Sequence, residues 1–353
     1  MTTSLDKVAN FWSQYEPVVD APCFYMSPLT RSYIIETAYG KDLVAEYQQD
    51  SNFAENIFIS KYLRGKKVES ILSLCCGFGI VERIFVSQLA DVKHCIGVDV
   101  AEGALEMARK RAADEGLHCI SYKYADLNNY PWEDEKYDLI IANGALHHLS
   151  NLEDVLGGIQ RTLKPEGILY ACEYVGPSYQ DHPARHLQII NASAFLIPPE
   201  LRAKKLPPTF INKRVGRLVS RLYSAADREN PKWPLWKKLI ARTLKKLLNR
   251  NQKGLDFGLV YVSPREELLK TDPSECVRSS EIIQIVRDCF HDVEVRPFGG
   301  GILMHVLGEK FFTNFDAKNL LHTKCLEMLF QLERHFVDTG EISIENAFII
   351  ARE

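Results

Sequence analysis

The sequence predicts an α/β fold, a mostly parallel sheet with helices on both faces. Three observations predict it. From Glu69 to Glu173, short apolar runs alternate with stretches of helical period. The first run, Ile71-Leu72-Ser73-Leu74, ends in a turn, Cys75-Cys76-Gly77-Phe78-Gly79, of the kind that passes a strand into a helix. And 353 residues at 46% hydrophobic composition suffice for a full buried core with attachments.

In chain order, residues 1–67 read as a helical leader or cap. Phe11, Trp12, Tyr15 and Tyr25 make it aromatic-rich, able to anchor on the core or to close over a ligand. The stretch MTTSLDKVANFWSQYEP has no apolar h-region, and no run of about 18 apolar residues occurs, so neither a secretory signal nor a membrane span is expected. A cytoplasmic location follows as the expectation. The core begins at 68–176, with strands expected at 70–75, 94–99, 119–124, 137–142 and 167–173 and helices at 79–90, 101–115 and 151–163. Ser150-Asn151-Leu152-Glu153 has capping-box form at the start of the last helix, and Lys164-Pro165-Glu166-Gly167 supplies its stop.

Residues 177–276 break this rhythm with prolines and read as a basic helical insertion. Between Leu201 and Lys253 there are 16 Lys and Arg against two acids, Asp227 and Glu229, although the whole chain is at −3. Within it, the apolar residues of 233–248 recur at helical spacing and leave a cationic face. The core resumes at 277–353 with a helix at 279–289, a strand at 291–296, a turn at Gly299-Gly300-Gly301, helical sequence to about 337 and a last strand, ENAFIIAR. The nine cysteines include no C-x-x-C pair and read as reduced thiols, mostly buried. No strong metal motif is present. His182 and His186 are four apart, but Pro183 interrupts the helix and no carboxylate completes a set at known spacing, so both read as surface or substrate-pocket residues.

In an open α/β sheet, ligands bind beyond the carboxyl ends of the strands. Three such ends carry suggestive residues. Gly77 and Gly79 let backbone approach a ligand closely. Asp99, ending the second strand, either accepts from the two hydroxyls of a ribose or caps the following helix. Asp126, ending the third, could accept from an adenine amino group while Leu127 covers a ring face. Together they point to a nucleoside-bearing cofactor. A nicotinamide dinucleotide is disfavoured, since its G-x-G-x-x-G fingerprint needs glycine where Glu82 stands.

On these residues the chain resembles the class I S-adenosylmethionine-dependent methyltransferases, over roughly 68–176 and 279–353. Ile71-Leu72-Ser73-Leu74-Cys75-Cys76-Gly77-Phe78-Gly79 is similar to that family's first motif, with Ser73 in place of the usual acid and Cys75 in place of the first glycine. Asp99, Asp126 and Ile141-Ala142-Asn143-Gly144-Ala145-Leu146-His147-His148-Leu149 match the next three, and LKPEGILY matches the junction into the fifth strand. EYVGPS and VRPFGGGIL look like a bacterial subgroup of polysaccharide and natural-product pathways.

The resemblance implies a Rossmann-like, seven-stranded, mostly parallel sheet with an antiparallel last strand and a helical insertion after the fifth. It implies S-adenosylmethionine as cofactor, held by Ser73, Cys75, Gly77, Gly79, Asp99, Val100, Asp126, Leu127 and Asn143. It implies methyl transfer to an oxygen or nitrogen of a small-molecule or glycan-type acceptor. His148 and His147 are then the candidate bases or pocket-shaping residues, Glu173 and Tyr174 candidates for orienting the acceptor, and the insertion a lid over its pocket. A larger acceptor such as a peptide, a carrier-bound intermediate or RNA, and a non-catalytic cofactor-binding scaffold, are the other readings. Nucleic acid is the weaker partner, because basic residues without a base-reading motif give only salt-sensitive attraction. The basic helix could also lie on an anionic membrane surface, a reading the sequence favours less than docking on the core.

Overall fold

The computed structural model describes residues 4–14, 28–132, 136–198, 201, 265–311 and 315–353. Seven strands form one sheet: β1 (Ser70–Leu74), β2 (His94–Asp99), β3 (Ile120–Tyr124), β4 (Tyr137–Asn143), β5 (Leu163–Tyr174), β6 (Asp292–Gly299) and β7 (Asn346–Arg352). Their order is β3-β2-β1-β4-β5-β7-β6, parallel through β5, with β7 antiparallel to both β5 and β6. The order reverses between β1 and β4, which opens a crevice at their carboxyl ends.

The central strands are apolar on both sides, as a sheet covered on both faces requires. Ile71, Leu139, Tyr170 and Phe348 point into one core and Leu72, Ile140, Leu169 and Ile349 into the other. The second core is closed by α7 (Leu152–Thr162) and by a helix at Ile282–Cys289, here α10. The first is closed partly by the leader. After α1 (Ser4–Gln14), its helices α2 (Pro28–Tyr39), α3 (Val44–Tyr47) and α4 (Phe53–Phe58) lead into β1, and Ile34, Ile35, Ile57 and Phe58 are fully buried. Residues 28–63 are therefore part of the main core, more than a cap upon it. Helices α5 (Ile80–Gln88) and α6 (Glu102–Asp114) complete the half built on β1, β2 and β3.

After β5 come α8 (Ala184–Ala194) and α9 (Arg265–Thr271); after β6 come α11 (Leu303–Phe311) and α12 (Leu320–Asp338). The glycine turn at 299–301 serves α12. Glu333, fully buried, accepts from the backbone N–H of Gly300, Ile302 and Leu303 and from the Tyr33 hydroxyl, and a Cβ at Gly299 would collide with its carboxylate. The basic helix expected at 233–248, Tyr15 and Tyr25 lie outside the described residues.

Several local expectations are corrected. The α7 cap is Asn151, and its side chain makes no capping bond to the helix. Glu153, the expected partner in the capping box, is drawn outward by the fork of Arg278, at 2.6 and 2.7 Å. Lys164-Pro165-Glu166-Gly167 does not stand between helix and strand. It forms an irregularity within β5, because the ladder to β4 jumps from Tyr137↔Leu163 to Leu139↔Ile168, and a bulge is where a strand tolerates Pro165. His182 and His186 are buried, and a carboxylate does stand beside them: Glu345 arrives from just before β7, 163 residues beyond His182. Eight cysteines among the described residues are free; Cys95, Cys276 and Cys325 are fully buried and the others partly.

Candidate functional site

The carboxyl ends of β1, β2, β3 and β4 surround a cavity of about 740 Å³, within the range of small-molecule and cofactor sites. Ser73, Cys75, Gly77, Asp99, Val100, Asp126, Leu127 and Asn143 line it, as does His148; Gly79 and His147 stand behind that lining.

The floor is built by the turn after β1. Gly77 is left-handed at φ +50°, and no atom lies within 4 Å of where its Cβ would be, so a side chain there would fill the cavity. Gly79, at φ +68°, is pressed against Tyr122 and Ala108. Cys75 also stands at positive φ, +45°, where its Cβ is strained. Burial, then the charge of Asp99, pushes the Cys75 thiol well above its ordinary range, which keeps it protonated. Cys76 is accommodated because its neighbour across the ladder end is Gly97, whose Cβ would crowd the Cys76 sulfur at 2.9 Å.

Asp99 does two things at once. Its Oδ2 accepts from the Gly77 N–H and its Oδ1 from the Ala101 N–H, each at 2.8 Å, so one carboxylate ties the glycine turn to the start of α6. Burial raises its pKa from the ordinary value, partly offset by these backbone bonds. A carboxylate has about four acceptor positions, so acceptor capacity remains for a ligand hydroxyl. Asp126 accepts from Asn128 N–H and from the Asn129 side chain, which fixes the loop holding Leu127. The Gly77 cradle, the spare acceptor capacity of Asp99 and the size of the cavity fit an adenosyl cofactor.

A residue that sequence reading passed over lies beneath the cradle. Glu82, in the first turn of α5, lines the cavity; its Oε2 accepts from Ser73 Oγ at 3.2 Å, and its Oε1 is buried without a hydrogen-bond partner. Burial pushes it up to about 7. A carboxylate thus stands beside Ser73, brought from nine residues later in the sequence by the facing helix. The signal in the sequence is the acid in the first turn of α5, at the position that also breaks the G-x-G-x-x-G pattern.

The opposite wall is the loop after β4. Glu173 is buried at the end of β5; it accepts from the N–H of Ala145 at 2.7 Å and Leu146 at 2.8 Å and pairs with His147 Nδ1 at 2.8 Å. Every one of these contacts points back at the loop, so Glu173 positions the histidines and does not itself line the cavity. Burial alone would lower the pKa of His147, but the hydrogen bond and charge of Glu173 outweigh it and raise it. His148 goes the other way: burial, then the neighbouring His147, lowers it to about 4, which leaves a neutral ring at the cavity wall.

The tautomer of His148 follows from its partners. Ser274 Oγ donates to Asp272 Oδ1 at 2.6 Å, so its hydroxyl accepts from His148 Nδ1–H at 3.0 Å. The Nε2 lone pair is then free of a hydrogen bond, with Glu275 Oε2 3.9 Å away. Trp12 of α1 covers this group, its indole N–H donating to Asp272 Oδ2 at 2.8 Å and its ring meeting His148 edge-on at 5.6 Å. Asp272, Ser274 and Glu275 carried no sequence signal, because they lie more than 120 residues from His148 at the far end of a segment read as basic insertion. His147, His148 and Glu275 also bring one ligand atom each to within 4.8 Å of one another, with the Nδ1 atoms of both rings already committed to Glu173 and Ser274.

Residues 71–167 match the family described as a methyltransferase domain. The chain is 28% identical to the ubiquinone biosynthesis O-methyltransferase of Pasteurella multocida over 47% of its own length and 60% of the relative's. It is 30% identical to the demethylmenaquinone methyltransferase of Lactobacillus johnsonii over 30% of its own length and 44% of the relative's. Among solved structures, an S-adenosylmethionine-dependent methyltransferase from Mesorhizobium loti is 25% identical, with 31% of this chain and 50% of that one covered and a TM-score of 0.28. The chain thus spans about half the length of the curated relatives it matches.

Proposed function

We propose, from the premise that this chain carries a class I S-adenosylmethionine-dependent methyltransferase domain, that it methylates a hydroxyl oxygen of a small-molecule or glycan-type acceptor with His148 as the base. The observation that carries the reading is the neutral His148 on the cavity wall, with its Nδ1–H committed to Ser274 and its Nε2 lone pair free. The O-methyltransferase among the relatives favours oxygen over nitrogen.

When bound, S-adenosylmethionine supplies a methyl group on a sulfonium. Asp99 and the backbone at Gly77 would hold its ribose end, Asp126 and Leu127 its adenine end, and Glu82 would face its amino-acid end. His148 Nε2 would take the proton of the acceptor hydroxyl, and the charge that appears on the ring would be met through Nδ1–H by the Ser274–Asp272 pair, with Glu275 nearby. Glu173 keeps the loop, and hence His148, in place. Trp12 limits access of water from the α1 side.

The test is methyl transfer by the full chain to a panel of hydroxylated metabolites, alongside calorimetric titration with S-adenosylmethionine. His148→Asn should lower turnover by about 10²–10⁴-fold with cofactor affinity retained. In the unsubstituted protein the acid limb of kcat/KM should lie near pH 4, because the ring loses its lone pair only as pH falls through its depressed pKa. Near-full turnover in the variant removes His148 from the chemistry; cofactor binding with no transfer to any acceptor favours the scaffold reading.

A further inference from the structure

A second histidine cluster lies outside the cavity, beyond the carboxyl end of β5. His182, from the loop before α8, His305 of α11 and Glu345, just before β7, bring one ligand atom each to within 4.8 Å of one another. His182 and Glu345 have fully buried side chains, and that of His305 is 14% exposed. Both rings aim Nε2 at the same carboxylate: His182 at Oε1, 2.7 Å, and His305 at Oε2, 2.9 Å.

The hydrogen bonding of His182 decides what its Nε2 presents. Nδ1 lies 2.6 Å from the Gln180 carbonyl oxygen, which can only accept, so Nδ1 carries the proton. At 2.7 Å the contact from Nε2 to Oε1 is a hydrogen bond, so without an ion a second proton bridges ring and carboxylate, and that bridging position is the one a metal ion would take. A histidine that commits one ring nitrogen to a backbone carbonyl leaves the other to face an ion, which is how histidine ligands of metals are oriented. The surroundings are built closely around the set. His186, also buried, packs edge-on against His182 with ring centres 5.0 Å apart and donates from Nε2 to Gly301 O at 2.7 Å. A Cβ at Gly176 would stand 2.9 Å from Glu345 Cγ, and one at Gly301 only 3.3 Å from His186 Nε2.

We propose that His182, His305 and Glu345 form a zinc site that ties the loop after β5, helix α11 and the entry to β7 into one unit. Two imidazoles and a carboxylate are a ligand set that Zn²⁺ takes, with water completing a tetrahedron on the exposed side of His305. Zinc bonds of about 2.0–2.2 Å set ligand atoms roughly 3.3–3.5 Å apart, so the present nitrogen–oxygen contacts open by about half an ångström to admit the ion. The direct contacts are the proton-bridged form of the same set.

The experiment uses the purified full chain, stripped with a chelator and titrated with Zn²⁺ against a chromophoric competitor, then with Co²⁺ read by visible absorption. One equivalent of Zn²⁺ should bind, Co²⁺ should give the strong bands of a tetrahedral site, and Zn²⁺ should raise Tm. His305→Ala and Glu345→Gln should each lose at least tenfold in affinity, while His148→Asn binds metal as before. Absence of stoichiometric binding, unchanged affinity in His305→Ala, or loss of binding in His148→Asn overturns the site. If Glu345→Gln fails to fold, the part-exposed His305→Ala decides alone. None of these readouts uses methyl transfer, so the site and the proposed reaction fail separately.

Discussion

Asp99 shows how two readings of one residue need not exclude each other. The strand-end position suggested a ribose acceptor and the local pattern a helix cap; in the structure the carboxylate already holds Gly77 and Ala101 N–H, with acceptor positions to spare. Asp99→Ala should therefore weaken S-adenosylmethionine binding by at least tenfold in calorimetry and also cost about 1–3 kcal/mol in a denaturant melt, because two buried donors lose their partner. Unchanged affinity would end the ribose assignment. Cys75 was legible as a departure, since a Cβ is strained at the left-handed backbone this turn uses, and the chain bears that strain. The opposed shifts of the paired histidines were not legible, because they depend on Glu173 and on burial. His147, with its pKa raised above the ordinary 6.5, contributes stability that is fully present below that value and is lost as pH rises through the folded pKa. The difference in melting temperature between the unsubstituted protein and His147→Gln should accordingly shrink from pH 6 to pH 9; a constant difference would show that the Glu173 contact does not set this ionisation.

At the scale of elements, the strands were the easiest to read, since each is a short apolar run between turn residues, and boundaries moved by only a residue or two except at β5 and at the end of β6. There, Pro165 and Gly167 looked like punctuation because sequence does not reveal that a bulge can absorb them. Helix α1 was read as an aromatic leader with two possible duties. It touches the site on both sides, through Trp12 to Asp272 and through Ser13, whose hydroxyl accepts from the Gly103 N–H of α6 at 3.2 Å. Removing residues 1–14 should leave a cooperative melt, because the buried helices α2 and α4 remain, but should weaken cofactor binding and lower turnover severalfold. If both are unchanged in the shortened protein, α1 is ornament to the site and Trp12 is not its cover.

Across the whole molecule, what could be read was the half whose contacts are local in sequence, from Glu69 to Glu173. What could not be read was long-range: the burial of α2 and α4 against Tyr170, the return of 272–275 to His148, and the meeting of residues 182, 305 and 345. None of these has a pattern within any one segment. The same distribution of contacts governs the order in which the molecule can assemble. β7 leaves the ribosome after the other six strands of this sheet, yet it pairs on one side with β5, made some 180 residues earlier, and on the other with β6. Until it arrives, the backbone edge of β5 from Leu169 to Tyr174 has no permanent neighbour, and β6 cannot join the sheet at all. During synthesis the nucleoside-binding half can form early while an open apolar edge waits beside it for roughly ten to thirty seconds, at about 5–20 residues per second. Such an edge accepts whatever strand comes first, which makes another nascent copy of this protein its natural competitor.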